Sequence, residues 1–270
     1  MKTNYYGDTN IGNVLPQNED NFILKEVWRG THLLAVVIDG VGGNGGGDVA
    51  AELAAKCIAE HFYESERTSN SLDILQAAVV FANNSIYAQH YNPWLSQMSC
   101  VLTAVLINIE SGHTDICHIG DTRMYTLKDG VFTKITHDHS LICELEESGQ
   151  ITEPEAMTHP RRNIITRSVG REILQWGTEY IQTHTIKLKP NTTLLLCSDG
   201  LYDMVPSSQT MEILSESISV DKRVDKLIDA ALEACGKDNV TVIVVDLMKL
   251  YYGKRYSILD NLWMPCFFTM

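Results

Sequence analysis

The segment LLAVVIDGVGGNGGGDVAAELA, residues 33–54, joins an apolar, strand-like run to a glycine-rich turn and a helix-like run. Gly40, Gly42 and Gly45 have the G-x-G-x-x-G spacing of dinucleotide-binding folds, in which backbone N–H groups at a helix start hold a pyrophosphate. Asp39 stands at the end of the strand, directly before these glycines. The segment therefore permits two interpretations, a nucleotide cradle or a site that is centred on Asp39.

The surrounding sequence argues against the nucleotide cradle. That fold requires a second parallel strand directly after the helix, with an acid at its end that binds ribose. Here the helix-like run is followed by ESERTSNS (64–71) and then by another helical pattern. Asp39 would also repel a pyrophosphate beside it. A flexible glycine-rich turn without function is favoured over the cradle, and the role of Asp39 stays open.

Hydrophobic periodicity divides the chain into blocks of strands and blocks of helices. Strands are predicted at 21–28, 31–39, 99–109, 113–120, 122–127, 131–136, 180–188, 192–199 and 240–247, and helices at 47–63, 72–91, 140–149, 207–218 and 222–235. Residues 150–178 are polar and irregular, and they form a candidate flap. Because the helices occur in pairs between blocks of strands, this order predicts antiparallel sheets with helices packed outside them, an α+β sandwich.

Composition and charge exclude several classes of protein. The chain has 270 residues and a net charge of −13, and an acidic surface repels the phosphate backbone of nucleic acids. Its seven cysteines are widely spaced without a C-x-x-C pair, which indicates free thiols in a reducing cytoplasm. Neither an apolar leader nor a run of membrane-spanning length occurs. We therefore expect a cytoplasmic protein with no nucleic-acid or membrane partner.

Acidic residues stand at the ends of several predicted strands. Apolar runs end at Asp39, Asp121 and Asp199, another begins after Asp238, and Asn18-Glu19-Asp20 precedes the run NFIL (21–24). Taken alone, each acid is more typical of a turn or a helix cap, as Asp129-Gly130 illustrates between two strands. If these strand ends met at one rim, the carboxylates would repel one another unless cations bound them. An all-oxygen set of ligands favours Mg²⁺ or Mn²⁺ over zinc.

Two pairs of acids carry further positional information. Glu19 and Asp20 are adjacent, so their side chains point in opposite directions in an extended chain. We expect one of them to be a direct ligand and the other to order a metal-bound water. Asp203 lies four residues after Asp199, so one helical turn would place both on the same face, and the alternative is a solvated residue.

Other catalytic groups have weaker support in the sequence. His137 and His139 flank Asp138, and an H-x-H pair can bind zinc, but neither a cysteine nor a further histidine lies at a suitable spacing. A polar turn is therefore favoured there. The sequence also lacks a G-x-S-x-G nucleophile motif, and none of the cysteines has a neighbour in sequence that marks it as catalytic.

Seven short segments follow one another along the chain. They are NED (18–20), DGVGG (39–43), GDTR (120–123), HDHSL (137–141), GQITEPEAMTHPRRNIITRSVG (149–170), SDGLYDMV (198–205) and KDNVTVIVV (237–245). In this order they resemble the metal-dependent protein serine/threonine phosphatases, the protein phosphatase 2C family, over most of residues 9–247. Val41 and the flap HPRRNIITRSVG (159–170) are similar to bacterial members. The resemblance implies a four-layer αββα sandwich of two antiparallel β-sheets flanked by helix pairs, in a single catalytic domain at residues 1–248.

The same resemblance implies roles for the acids. Asp39 would bridge two metal ions, and Asp20 would hold a metal-bound water. Glu19 and the backbone carbonyl of Gly40 would bind one ion, Asp199 and Asp238 would bind the other, and Asp121 and Asp203 would join Asp199 around a third. Gly42 and Gly43 would let the chain turn tightly away from the metals. The implied cofactors are therefore two to three Mn²⁺ or Mg²⁺ ions.

The implied reaction is hydrolysis of phosphoserine and phosphothreonine. A metal-bridging hydroxide would attack phosphorus directly, so a covalent enzyme intermediate is not needed. The implied partners are phosphorylated proteins, namely a serine/threonine kinase or its substrates, and we expect a monomeric enzyme.

One departure from the family pattern affects substrate binding. Many members carry an arginine that binds the substrate phosphate three residues before the Asn of NED, and Leu15 stands at that position here. Loss of a bidentate donor should weaken phosphate binding. Arg123, Arg161, Arg162 or Arg167 could compensate. The alternative function is a pseudophosphatase or a regulatory binding module of the same fold, but the retention of every predicted metal acid favours the enzyme.

The resemblance ends before the segment KLYYGKRYSILDNLWMPCFFTM (249–270), which is rich in aromatic residues. We expect this tail to cover apolar surface of the catalytic domain. The alternative is a docking segment for a kinase or an effector, because exposed aromatic patches bind partners.

Overall fold

A computed structural model describes residues 2–41, 45–65 and 70–248 of the chain. The strands in these ranges are β1 (Lys2–Asn10), β2 (Asp20–Val27), β3 (His32–Gly40), β4 (Cys100–Asn108), β5 (His113–Ile119), β6 (Arg123–Lys128), β7 (Val131–Lys134), β8 (Gln182–Lys187), β9 (Thr192–Cys197) and β10 (Val240–Met248). The helices are α1 (Gly47–Glu64), α2 (Ser71–Tyr87), α3 (Leu141–Glu147), α4 (Glu153–Thr158), α5 (Asp199–Tyr202), α6 (Ser207–Ser215) and α7 (Val220–Glu233), with short 3₁₀ turns at Ala88–Tyr91 and Pro93–Leu95. The expectations for Gly42, Gly43 and the 249–270 tail lie outside the described residues.

The described strands form two antiparallel sheets. The first has the order β1-β10-β9-β6-β7 and the second has the order β2-β3-β4-β5-β8. Helices α1 and α2 pack on the outer face of the second sheet, and α7 packs on β1 and β10 of the first. This arrangement confirms the predicted four-layer αββα sandwich.

The apolar runs in the central strands are long because both faces of each strand are buried. In β3, Leu34, Val36 and Ile38 contribute to the core beneath α1 and α2. Leu33 and Val37 alternate with them and join the core between the two sheets. Strands β9 and β10 divide in the same way between the inter-sheet core and the core beneath α5, α6 and α7. Period-2 alternation therefore supplies three apolar layers from two sheets.

Strand β1 and helix α4 are among the elements that were not predicted from the sequence. Strand β1, with the sequence KTNYYGDTN, lacks apolar alternation, and it forms because it pairs with β10 over its whole length, from Lys2↔Met248 to Asn10↔Val240. The candidate flap contains α4, which begins with a capping box in which Thr152 and Glu155 bond each other's backbone N–H groups. The signal for α4 was present in the T-x-x-E spacing.

The strand ends that carry the acids lie on one rim of the sandwich. Asp20, at the start of β2, pairs directly with Asp39 near the end of β3. On the other sheet, the end of β9 pairs with the start of β10, where Cys197 faces Val242. In the part of the chain that is described, no helix is both long and apolar enough to cross a membrane.

The inter-sheet layer makes a testable contribution to stability. Leu194 is fully buried between the sheets, so we expect Leu194→Ala to lower the free energy of unfolding by about 2–5 kcal/mol, from lost burial and the remaining cavity. Ile173→Ala is the control, because Ile173 is 65% exposed, and it should change stability by no more than about 0.5 kcal/mol. Denaturant unfolding of both variants measures the difference, and equal values would contradict the packing of the two sheets.

Candidate functional site

The rim of the sandwich holds an open pocket of about 420 Å³. Its acidic lining consists of Glu19, Asp39, Asp121, Asp199 and Asp238, and its other lining residues are Leu15, Pro16, Gln17, Gly40, Val41, Val101, Asn163, Ile165 and Asn239. Among the described residues, the lining includes neither a lysine nor an arginine. The sandwich thus gathers acids that are up to 219 positions apart in the sequence, from Glu19 to Asp238, without a cationic side chain between them.

Close backbone approach brings Glu19 beside the end of β3. The Gly40 N–H donates to the Glu19 carbonyl oxygen at 3.1 Å. A Cβ atom on Gly40 would lie 2.5 Å from the backbone of Gly47 and 2.6 Å from the Glu19 carbonyl oxygen. A Cβ atom on Gly47 would lie 2.6 Å from a carboxylate oxygen of Glu19. Gly40 is therefore required by space, because the atoms it would meet belong to the backbone. At Gly47 a side chain would displace the Glu19 carboxylate from its position, and this role had no signal in the sequence beyond the place of Gly47 in a glycine run.

Asp20 ties the two sheets together at the rim. Its Oδ2 accepts hydrogen bonds from the Ser198 hydroxyl at 2.7 Å and the Thr241 hydroxyl at 2.6 Å. These donors belong to the opposite sheet, at the end of β9 and the start of β10. Asp20 does not line the pocket itself, whereas its neighbour Glu19 does. The two adjacent acids therefore have different surroundings, and their roles as metal ligand and water-ordering group stay predictions.

Asn239 fixes the segment that carries Glu19. Its Oδ1 accepts the Glu19 backbone N–H at 2.8 Å, and its Nδ2 donates to the carbonyl oxygens of Ile11 and Gln17. Ser198, Thr241 and Asn239 all lie beside predicted acids, in the segments SDG and KDNVT. Their roles could not be predicted from the sequence, because their partners are more than 170 residues away along the chain.

Burial and crowding disfavour the ionised forms of the rim carboxyls. The pKa of Asp39 lies well above its usual range, first because of burial and then because of the negative charges of Asp20, Asp199, Asp121 and Asp238. Burial also raises the pKa of Asp199 well above its usual range, and among its charged neighbours Asp238 raises this pKa the most. Each of these carboxyls therefore binds a proton more readily than it would in water, unless a nearby cation stabilises its ionised form.

The pKa values of the remaining acids are raised as well. Burial raises the pKa of Asp20 to about 7, although its hydrogen bonds from Thr241 and Ser198 act in the opposite sense. Burial and the charge of Asp138 raise the pKa of Asp121 to about 7. The pKa values of Glu19, Asp203 and Asp238 are raised as well, in each case chiefly by burial.

Asp203 and Arg162 form an ion pair next to the rim. The Arg162 Nε donates to Asp203 Oδ2 at 2.7 Å, which joins the flap to the residue that follows α5. Asp203 lies outside the set of residues that line the pocket. Of the other flap arginines, Arg161 is exposed, and Arg167 donates to the backbone carbonyl of Tyr180 at 3.1 Å.

Arg123 lies away from the pocket, with most of its side chain covered. It donates to Asp138 Oδ2 from both Nε, at 2.8 Å, and Nη2, at 2.7 Å. Its guanidinium carbon lies 3.5 Å from the centre of the Tyr202 ring, and the Tyr202 hydroxyl donates to the backbone carbonyl of Asp121 at 3.1 Å. The structure therefore places Arg123 beneath the rim, where it supports Asp121, and not among the pocket-lining residues.

His139 supports Asp121 from the other side. The Gly120 N–H donates to His139 Nδ1 at 3.0 Å, and the His139 N–H donates to the Gly120 carbonyl oxygen at 2.6 Å. Burial lowers the pKa of His139 to about 3, so the ring is neutral and its Nδ1 can accept. The segment HDHSL thus contributes an anchored turn, and its buried Asp138 holds Arg123.

The chain is similar to known proteins over most of its length. A family profile described as Protein phosphatase 2C matches residues 7–238. The serine/threonine phosphatase stp of Listeria innocua serovar 6a is 33% identical over 254 residues, which cover 92% of this chain and 98% of that protein.

Solved structures are similar over the same region. The crystal structure of the serine/threonine phosphatase Stp1 from Staphylococcus aureus superimposes with a TM-score of 0.84 at 27% identity, over 92% of this chain and 96% of that one. The catalytic domain of the serine/threonine protein phosphatase PstP in complex with two manganese ions gives a TM-score of 0.78 at 31% identity, over 92% of this chain and 99% of that one. Together with the family match, these similarities show that the chain belongs to the protein phosphatase 2C family of serine/threonine phosphatases.

Proposed function

We propose that this chain hydrolyses phosphoserine and phosphothreonine in proteins, with two or three Mn²⁺ or Mg²⁺ ions at the acidic rim. The observation that carries the proposal is the gathering of five carboxylates around one pocket whose described lining includes no cationic side chain. Buried like charges of this kind are unstable as anions unless cations neutralise them. We assign residues 1–248 to one catalytic domain, with 150–178 as its flap.

The donor set fits hard divalent ions. The pocket offers carboxylate and carbonyl oxygens, which Mg²⁺ and Mn²⁺ prefer, and neither a histidine nor a cysteine lines it among the described residues. We propose Asp39 as the carboxylate shared by two ions, with Glu19 and the Gly40 carbonyl on one side. Asp199 and Asp238 would serve the second ion. Asp121 and Asp203 would hold a third together with Asp199, if Asp203 exchanges its bond to Arg162 for the ion.

The catalytic roles follow from the chemistry of such a site. When bound, the ions would activate a water and stabilise charge on the phosphoryl oxygens. Asp20 uses Oδ2 for the two cross-sheet hydroxyls, which leaves Oδ1 to orient a water. Leu15, Val101 and Ile165 provide an apolar part of the pocket wall.

Leu15 remains the main departure from the family pattern, and it lines the pocket. Because Arg123 is engaged beneath the rim, we assign it a positioning role for Asp121 instead of a phosphate contact. Arg161 is exposed on the flap, and Arg162 is held by Asp203, so Arg161 is the better placed cation for a protein substrate. A pseudophosphatase is not favoured, because the acids are gathered and the similar proteins are phosphatases.

The substrates we propose are phosphorylated proteins, as expected for a serine/threonine phosphatase. From the sequence we further propose that these phosphorylated proteins are a serine/threonine kinase or its substrates. We also propose that the enzyme is a monomer in the cytoplasm.

Replacement of a central carboxylate tests the metal assignment. We expect Asp39→Asn and Asp199→Asn each to lower Mn²⁺-dependent hydrolysis of a phosphothreonine peptide by at least about 100-fold, because each removes a charge from the metal-binding set. EDTA should abolish the activity of the unmodified protein. The control is Asp129→Asn, which makes the same chemical change on the exposed β6–β7 turn. Unchanged activity in both rim variants would exclude the assignment.

The raised pKa values predict how metal-free stability depends on pH. The pKa of Asp20 and of Asp121 is about 7 in the folded protein, against about 3.9 in an unfolded chain. Between these values the folded state binds more protons than the unfolded state does. The free energy of unfolding of the EDTA-treated protein should therefore fall as pH rises from about 4 to 7. Added Mn²⁺ should raise the melting temperature more at pH 8 than at pH 5, because protons compete with the ion.

Differential scanning calorimetry across this pH range measures both effects. Asp39→Asn should flatten the pH slope and reduce the Mn²⁺ shift, whereas Asp129→Asn should preserve both. Metal-free stability that rises from pH 4 to 7 would contradict the crowding of carboxyls at the rim.

Restoration of an arginine tests the departure at Leu15. We expect Leu15→Arg to lower the KM for a phosphopeptide, and the inhibition constant of inorganic phosphate, by about tenfold, because a guanidinium adds a charge-assisted bidentate donor to the pocket. Leu15→Met is the size-matched neutral control and should leave both constants unchanged. If Leu15→Arg has no effect, another cation already supplies the contact, and Arg161→Ala should then raise the KM.

A further inference from the structure

A second cluster of metal-binding side chains lies around helix α3. His137, Cys143 and Glu147 each offer a ligand atom, and these atoms all lie within 4.8 Å of one another. Cys143 and Glu147 are one helical turn apart on α3, and His137 lies in the turn that precedes the helix. The Ser140 hydroxyl accepts the Cys143 N–H at 3.2 Å, which fixes the start of the helix relative to this turn. None of the three residues belongs to the acidic rim.

The spacing of the three ligand atoms suits one tetrahedral ion. His137 Nδ1 lies 3.9 Å from Cys143 Sγ and 2.7 Å from Glu147 Oε2, and Cys143 Sγ lies 3.2 Å from Glu147 Oε1. Zinc bonds of about 2.0–2.3 Å place neighbouring tetrahedral ligands roughly 3.3–3.8 Å apart. The separation of His137 Nδ1 and Cys143 Sγ is close to this value. The two oxygens of the half-exposed Glu147 carboxylate face His137 and Cys143 separately, and rotation of this carboxylate would bring one oxygen to a similar separation from both.

The donor types separate this cluster from the acidic rim. A thiolate, an imidazole and one carboxylate favour Zn²⁺ or Co²⁺, whereas an all-oxygen set favours Mg²⁺ or Mn²⁺. The Cys143 side chain is only 1% exposed, but His137 and Glu147 are exposed enough for an ion to enter from solvent. Three protein ligands leave a fourth position open to water.

The Lys134 ammonium group already contacts two of the three ligand residues, and a metal ion could take its place. Lys134 Nζ lies 3.4 Å from Glu147 Oε1 and 3.5 Å from Cys143 Sγ. It also lies 3.6 Å from Asp138 Oδ1, an atom that is buried and has no hydrogen-bond partner among the described residues. An ion bound by Glu147 and Cys143 would displace the Lys134 ammonium group. Asp138 Oδ1 is the acceptor that this ammonium group would then reach.

We propose that His137 Nδ1, Cys143 Sγ and a carboxylate oxygen of Glu147 form a binding site for a zinc-class divalent ion. On binding, the Cys143 thiol gives up its proton to solvent, and the Lys134 ammonium moves from Glu147 towards Asp138 Oδ1. Because Asp138 also holds Arg123, and Arg123 stacks on Tyr202, the site connects through packed side chains to the backbone of Asp121.

The test uses Co²⁺ with the full chain, in excess Mg²⁺ to occupy the rim. A cobalt–thiolate bond gives a near-ultraviolet charge-transfer band that oxygen ligands cannot give. We expect one equivalent of Co²⁺ to produce this band and Zn²⁺ to displace it. Cys143→Ser should abolish the band, whereas Cys235→Ser, at an exposed cysteine, should retain it. Asp39→Asn should also retain it, because the rim is not involved.

Affinity measurements keep the proposal falsifiable if the buried Cys143→Ser variant fails to fold. His137→Ala and Glu147→Gln alter half-exposed side chains, and each should weaken Zn²⁺ binding at least about tenfold in a chelator competition assay. A band that is absent from the unmodified protein, or equal in folded Cys143→Ser, would overturn the proposal. Zn²⁺ affinity that is unchanged in both His137→Ala and Glu147→Gln would do the same.

Discussion

The repulsion between buried carboxylates at the rim is the constraint on which the rest of the site depends. Asp39 lies within the field of four other aspartates, and burial removes the water that would screen them. Such a cluster cannot be fully ionised on its own, so it binds protons or cations. The fold must therefore supply stability elsewhere to hold the acids together, and the three apolar layers provide it.

Contacts between the sheets determine where each carboxylate stands. Asp20 accepts hydroxyl hydrogen bonds from Ser198 and Thr241, so the start of β2 is fastened to the opposite sheet directly beside Asp39. Asn239 fastens the Glu19 backbone in the same way. Since these contacts are made by neutral donors, they position the acids without cancelling their charge. The negative potential of the pocket is preserved for ions from solution.

The parts of the molecule that could be predicted from sequence are those with a local signal. The strand pattern and the acids at strand ends each occupy a few residues, and they were enough for the sandwich and for the gathering of Asp39, Asp199 and Asp238 at one rim. Strand β1 has no such signal, because its half-polar sequence becomes a strand only through pairing with β10. The space requirement at Gly40 likewise appears only when the backbone of Glu19 and Gly47 is placed against it. These features depend on contacts between residues that are far apart along the chain, so a local sequence pattern does not predict them.

The HDHSL segment shows the same limit most clearly. Considered by spacing alone, His137 and His139 lacked a third ligand for zinc, and a polar turn was favoured. In the fold the two histidines separate. His139 accepts a backbone N–H beside Asp121, while His137 turns towards Cys143 and Glu147 on α3. Between them, Asp138 binds Arg123 through Oδ2 and leaves Oδ1 without a hydrogen-bond partner in the described part of the chain. One short turn therefore supports the oxygen-rich rim through His139 and directs His137 towards a sulfur-containing cluster, and the donor atoms of the two sites favour different ions.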